Sequence, residues 1–271
     1  MYSLLISAFA AGGAWCGLFF TGLCEWPGAS GAAAGAFIAV FFVTQRIARR
    51  KIMRVQNAMQ EYMAAGQARL QSKMQRMQMR INSIGAMKQA QAEIERDQKE
   101  IVKGALGILD GLKPFNGWVP LMSRQIATMR LQFAWTLKDY AQVDALLPKA
   151  MLFDPLLRAI ALARMYMRGD SMDSIAKVYS AGARRLRYNA GVILPAAYSW
   201  MQLKKGDTDG AFKTLAAALG KTDNPIIKAN HAALQNNRPG NFSNQPFGDQ
   251  WFMLQLEEPR IKMQRQHQHY R

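Results

Sequence analysis

The chain has 271 residues, half of them hydrophobic, and carries 35 Lys and Arg against 18 Asp and Glu for a formal charge of +17. That length allows one or two domains, and the charge favours an anionic neighbour, whether acidic lipid, nucleic acid or an acidic protein, without choosing among them. The only cysteines, Cys16 and Cys24, both fall in the first apolar stretch, which excludes a disulfide-stapled soluble domain and a cysteine zinc site.

Met1 to Cys24 contains no charged side chain, and Leu4, Leu5, Ile6, Phe9, Trp15, Leu18, Phe19, Phe20 and Leu23 make it long and apolar enough to span a bilayer core of ~30 Å. A cleaved signal peptide is the competing reading. Against it, no Lys or Arg forms an n-region, and the run exceeds the usual apolar region of ~7–15 residues. After Glu25, Trp26 and Pro27 comes a second uncharged run, Gly28 to Gln45, ending in Phe37, Ile38, Ala39, Val40, Phe41, Phe42 and Val43. Residues 1–45 therefore read as a two-helix transmembrane hairpin, with Pro27 and Gly28 suited to its turn. The turn carries one charge, Glu25, whereas Arg46, Arg49, Arg50, Lys51 and Arg54 crowd the end of the second run. The positive-inside rule then places both termini in the cytoplasm, as in an integral protein of a bacterial inner membrane, and puts those five cations within reach of anionic lipid. Gly13 and Gly17, and Gly31 and Gly35 with Ala32, Ala36 and Ala39, form small faces that pack the hairpin against itself or serve a homo-oligomer.

Residues 46–104 contain no proline, and Ile52, Val55, Met59, Tyr62, Leu70, Met74, Met77, Ile81 and Ile84 recur at helical spacing. They predict one long basic helix leaving the membrane as a stalk. Its cations are membrane-proximal: between Gln45 and Ala92 lie ten Lys or Arg and one acid, Glu61. Arg69 and Arg80 stand too far along such a helix to meet headgroups, so an acidic partner, nucleic acid or plain solvent is their neighbour. Gly66 and Gly85 interrupt the heptad, which leaves a homo-oligomeric coiled coil open without requiring it. Gly104, Gly107, Gly111, Pro114, Gly117 and Pro120 mark residues 105–120 as a joint.

From Leu121 the texture changes to short amphipathic helices. Breaks at Lys138-Asp139, Gly169-Asp170 and Gly206-Asp207 stand at intervals close to those of helix-pair repeats, and Asp173 to Tyr179 aligns without gaps on Asp209 to Leu215. The stretch from Ala197 through Trp200, Leu203, Gly206, Asp207, Ala211 and Leu215 to Pro225 resembles a tetratricopeptide repeat, and Asp139 to Pro155 looks like the second half of another unit. Lys204 departs from the family pattern, where a small residue is usual, and the unit around Gly169 matches poorly. The resemblance covers roughly Leu131 to Ala233. It implies an all-α repeat domain over residues 121–235 whose concave face takes a peptide or helix of another protein. On such a face Arg158, Arg164, Arg184, Arg185, Arg187 and Lys204 would suit an acidic partner.

Residues 236–271 read as a loop, a short docking helix at Trp251 to Leu256, and a basic tail holding His267 and His269. Two histidines fall short of a zinc site. Gly220-Lys221-Thr222 lacks the upstream glycine of a phosphate loop and follows a helix instead of a strand. No nucleophile motif or dinucleotide loop accompanies His231, and no cofactor is implied. The composite expectation is a membrane-anchored, non-enzymatic scaffold, with nucleic-acid or lipid binding by the stalk as the alternative. The near absence of aromatics between Gln45 and Gly104, where Tyr62 stands alone, counts against nucleic acid.

Overall fold

The structure, a computed structural model, describes residues 2–20, 26–78, 84–119, 121–184 and 191–258. Among the described residues all regular structure is helical and there is no strand. The chain divides into two compact units, Met1–Ala150 and Met151–Arg271.

The first unit holds α1 (Tyr2–Phe20), α2 (Trp26–Gln78), α3 (Ile84–Asp110), α4 (Met122–Thr136) and α5 (Tyr140–Leu146). Both α1 and the N-terminal part of α2 are long and apolar enough to cross a membrane. Pro27 and Gly28 do not form a separate turn but lie in the first turn of α2, where the missing proline N–H has no intrahelical partner to lose. α1 packs along α2, and its start is fixed by polar contacts. The Tyr2 amide donates to the Gly117 carbonyl at 2.7 Å, the buried Ser3 Oγ to the Trp118 carbonyl at 3.1 Å, and Gln45 Nε2 to Ser3 Oγ at 3.1 Å. At the glycines of the small faces the two helices are not in close contact: a Cβ added at Gly13, Gly17, Gly31 or Gly35 would meet nothing within 4 Å.

The predicted single stalk helix is instead two helices. α2 carries the basic run as far as Gln78, and α3 returns along it. As α2 descends from Gly66 through Tyr62 to Val55, its partners on the returning chain ascend from Ile101 through Gly104 to Gly111, so the pair is antiparallel. The apolar stripe explains the return, because Ile52, with Val55 and Met59 beside it, packs against Leu109 and Leu112. A stripe that could have sought a second chain is covered within its own. Glycine permits the approach: a Cβ at Gly66 would stand 2.7 Å from Ile101 Cγ2, and one at Gly104 would run into the Tyr62 ring. Lys73 of α2 lies between Glu93, at 2.6 Å, and Asp97 of α3. Gly104 and Gly107 are therefore helix-interior residues. The joint shortens to residues 111–121, with a 3-10 turn at Lys113–Phe115, and Met122 and Ile126 of α4 complete the same core.

The second unit holds α6 (Pro155–Arg168), α7 (Met172–Ala183), α8 (Ile193–Lys204), α9 (Thr208–Leu219), α10 (Pro225–Gln235) and the short α11 (Asp249–Phe252). Two kinds of break recur in it. Gly169 and Gly206 adopt φ of 84°, a left-handed turn open to glycine, and the next helix is capped by Ser171 or Asp207 accepting from a backbone N–H. Asp154 and Asn224 cap α6 and α10, each followed by proline in the first helical turn. Such a cap contributes about 1 kcal/mol. α8 is buried continuously from Ile193 to Gln202 between α6, α7 and α9, with the C-terminal segment closing over it. Asn244 Nδ2 donates to the Ala196 carbonyl and Asn230 Nδ2 to Asn244 Oδ1, both at 2.8 Å. Trp251 packs edge-on to Trp200, and the Glu257 carboxylate accepts from both indole N–H groups, at 2.8 and 2.9 Å. The short helix α11 seats on α8, but it covers Asp249–Phe252, and Leu254 and Leu256 of the expected docking helix lie in the turn and bend that follow it.

Two outcomes test this packing. Gly104→Ala should lower stability by about 1–3 kcal/mol, because its methyl group displaces Tyr62. Gly107→Ala, whose Cβ meets nothing, should raise it by up to about 1 kcal/mol through helix propensity. Thermal unfolding of the detergent-solubilised chain by circular dichroism reads both signs. Glu257→Ala leaves two indole N–H groups without their acceptor and should cost about 2–4 kcal/mol, with a red shift of tryptophan emission as the C-terminal segment loosens.

Candidate functional site

The five cations at the end of the apolar part of α2 are its most concentrated charge. Arg46, Arg49 and Arg50 share one exposed face with Phe42 and Met53, since steps of three and four residues return to one side of a helix. Together with Phe41, Val43, Gln45 and Val119 they line a groove of about 630 Å³. Lys51 turns toward a smaller cavity of about 190 Å³ lined by Thr44, Ile47, Ala48, Phe115 and Trp118, and Arg54 is exposed and lines neither. Among the described residues no acidic side chain pairs with any of the five. Like charges four apart, at Arg46 and Arg50 and again at Arg50 and Arg54, each disfavour the helix by about 0.2–0.5 kcal/mol. An anion placed among them would relieve that repulsion. Sequence alone does not point to Val119, because only folding returns the 113–119 turn to α2, where the Tyr2 and Ser3 contacts hold it.

The residues expected on a partner-binding face of the second unit are not equivalent. Arg158 is a structural residue: its guanidinium donates to the Leu152 carbonyl at 2.6 Å and the Val178 carbonyl at 3.2 Å, and its side chain lies where a Cβ on Gly182 would be. Arg164 is half-buried on α6, and Arg184 is exposed at the end of α7. Lys204 is exposed with its ammonium 5.3 Å from the Trp200 ring centre, and Lys205 stands 5.6 Å from that of Tyr166. Arg185 and Arg187 lie outside the described residues, as do His267, His269 and the basic tail.

The remaining titratable groups have structural settings. Arg168 forks onto Asp170 and holds its carboxyl below the usual range, within the Gly169 turn. Burial pushes the Tyr179 phenol up to about 12, where it stacks on Tyr198 at 4.2 Å. His231 stacks on Phe212 at 4.5 Å, and Lys221 donates to the Ala183 carbonyl at 2.9 Å across the helix array. Among the described residues no three His, Cys, Asp or Glu side chains gather as a metal site would require.

The distinction between cations held by backbone acceptors and exposed ones has a measurable consequence. Arg158→Met should destabilise the protein by about 2–3 kcal/mol through its two lost carbonyl contacts, whereas Arg184→Gln and Lys204→Gln, at exposed positions, should stay within about 0.5 kcal/mol. Urea unfolding followed by far-ultraviolet circular dichroism separates the two classes.

Comparison with protein families, with curated proteins and with solved structures finds no match for this chain.

Proposed function

We propose that this chain is a membrane-anchored, non-enzymatic scaffold: α1 and the start of α2 cross the membrane as a hairpin with both termini cytoplasmic, and the second unit holds a protein partner. The observation that carries the reading is the continuity of α2, which passes without a break from a lipid-like face to a basic collar and then to a packed helical core. Only 11% of each apolar window is buried, unlike the core helix of a soluble protein. The contacts of Tyr2 and Ser3 with residues 117 and 118 favour retention of the N-terminal helix over its cleavage.

For the second unit, the helix pairs with glycine turns support a tetratricopeptide-like reading, in which α6 with α7 and α8 with α9 are successive units. Because the C-terminal segment covers α8, the surface left for a partner lies toward Arg164, Arg184 and Lys204, and its charge suits an acidic peptide. A reading as a membrane-tethered nucleic-acid binder would place function on Arg69, Arg76 and the other cations of α2.

The test is capture of the intact protein from gently solubilised membranes, in low and high salt with nuclease. The scaffold reading expects a protein partner that survives both treatments, weakens in an Arg164→Glu, Lys204→Glu variant, and is lost when residues 151–271 are removed. That truncation falls between the two units, whereas a cut at residue 121 would take α4 out of the first core. Retention of nucleic acid alone, abolished by replacing the α2 cations, would overturn it.

A further inference from the structure

We propose that the groove on α2 seats one anionic phospholipid of the cytoplasmic leaflet, with its phosphate among Arg46, Arg49 and Arg50 and an acyl chain along Phe42 and Val43. The proposal rests on the reading of α1 and α2 as membrane-spanning helices. Four features of the groove argue for it. Its apolar and basic walls adjoin in the order a lipid requires: a rise of ~1.5 Å per residue puts Arg46 about 5 Å beyond Val43, the step from acyl chain to phosphate. The cations are arginines, whose planar forks match phosphate oxygens in pairs, where lysine would offer a point charge. No acid lies between Gly28 and Gln60 to satisfy them internally.

The fourth feature separates a built seat from a charged surface. One wall is Val119, held in place by the donation of the Tyr2 amide to the Gly117 carbonyl and of Ser3 Oγ to the Trp118 carbonyl. Docked α1 thus helps to hold a wall that also packs on the core of Ile52, Leu109 and Leu112, whereas Arg54, with the same charge, stands outside the groove. A nucleic-acid strand would satisfy the arginines and leave the apolar wall uncovered.

The experiment uses the full chain, reconstituted into vesicles of phosphatidylcholine with and without phosphatidylglycerol. Insertion is read by flotation after alkaline carbonate washing, and retained lipid by native mass spectrometry after gentle release. The expected result is insertion in both vesicles and one phosphatidylglycerol kept per chain. Arg46→Gln, Arg49→Gln should reduce that retention at least about tenfold, while Lys51→Gln, Arg54→Gln, which removes equal charge outside the groove, leaves it close to wild type. Equal loss in the two variants would overturn the seat in favour of a diffuse surface effect. So would insertion without preference for phosphatidylglycerol, or retention of nucleic acid at these arginines in place of lipid. Failure of the wild-type chain to float in either vesicle would instead remove the membrane reading itself, and this proposal with it. Circular dichroism of both variants confirms that each is folded before its lipid content is compared.

Discussion

The close approach of α2 and α3 is the constraint on which the first unit depends. The second half of α2 carries Arg54, Arg69, Lys73 and Arg76 against the single acid Glu61, and its stability depends on covering its apolar face, since most helical stability in proteins comes from such packing. α3 supplies the surface for that face. The approach sets Gly66 against Ile101 and Gly104 against Tyr62, positions where a Cβ would have to displace those side chains. Once the two are paired, the chain emerging from α3 at Gly111 is delivered to the level of Val55, and the turn that follows can reach the start of α1. The position of Val119, one wall of the groove, thus depends on helix pairing deeper in the unit.

The second unit is organised by a different device. Its helices are short, and four of them start at a side-chain cap: α7 and α9 after the left-handed Gly169 and Gly206, and α6 and α10 at Asp154 and Asn224. Local rules set the alternation, while specificity comes from the polar groups that bring the C-terminal segment over α8. Asn230, Asn244 and the Glu257 carboxylate are fully committed to partners. A buried amide network of this kind tolerates one register only, because a slipped segment would leave several donors unpaired. The face of α8 that an open repeat would offer to a ligand is accordingly occupied by the chain itself.

What could be read from the amino-acid sequence follows from this division. The breaks at Lys138-Asp139, Gly169-Asp170 and Gly206-Asp207 are legible because helix ends are local events, written in residues adjacent to the turn. The apolar stripe of Ile52, Val55 and Met59 is legible as a stripe, but its partner is not. Periodicity shows that a face must be covered and is silent on whether the cover is lipid, another copy or the returning chain. Gly104 misleads for a related reason: a glycine reads as a break, yet one placed against a ring in a helix pair reads the same way. Arg158 is the counterpart on the surface, a cation whose two carbonyl acceptors, Leu152 and Val178, only tertiary structure brings together. For the collar, Arg46, Arg49 and Arg50 are evident from charge and position, whereas Val119 becomes visible only after folding.

The excess of positive charge is best understood once these uses are separated. Lys73, Lys113, Arg130, Arg158 and Lys221 all have acceptors in the fold, so part of the cationic surplus replaces hydrogen bonds that other residues would have supplied. Arg130 shows the cost of such use, for its Nε is buried without a partner even while its Nη2 meets Asp110. The cations of the collar differ in kind: they are adjacent, mutually repulsive and without acids nearby. A soluble helix would relieve that repulsion at little cost by exchanging one arginine for glutamate, as α3 does by mixing Glu93, Glu95 and Asp97 with Arg96 and Lys99. On α2, where Glu61 is the single acid, the cations crowd together at the end of the apolar face. Such a charge pattern is unfavourable within the chain, and under the proposed membrane-spanning reading of α1 and α2 the anions that would relieve it are those of the adjoining lipid surface.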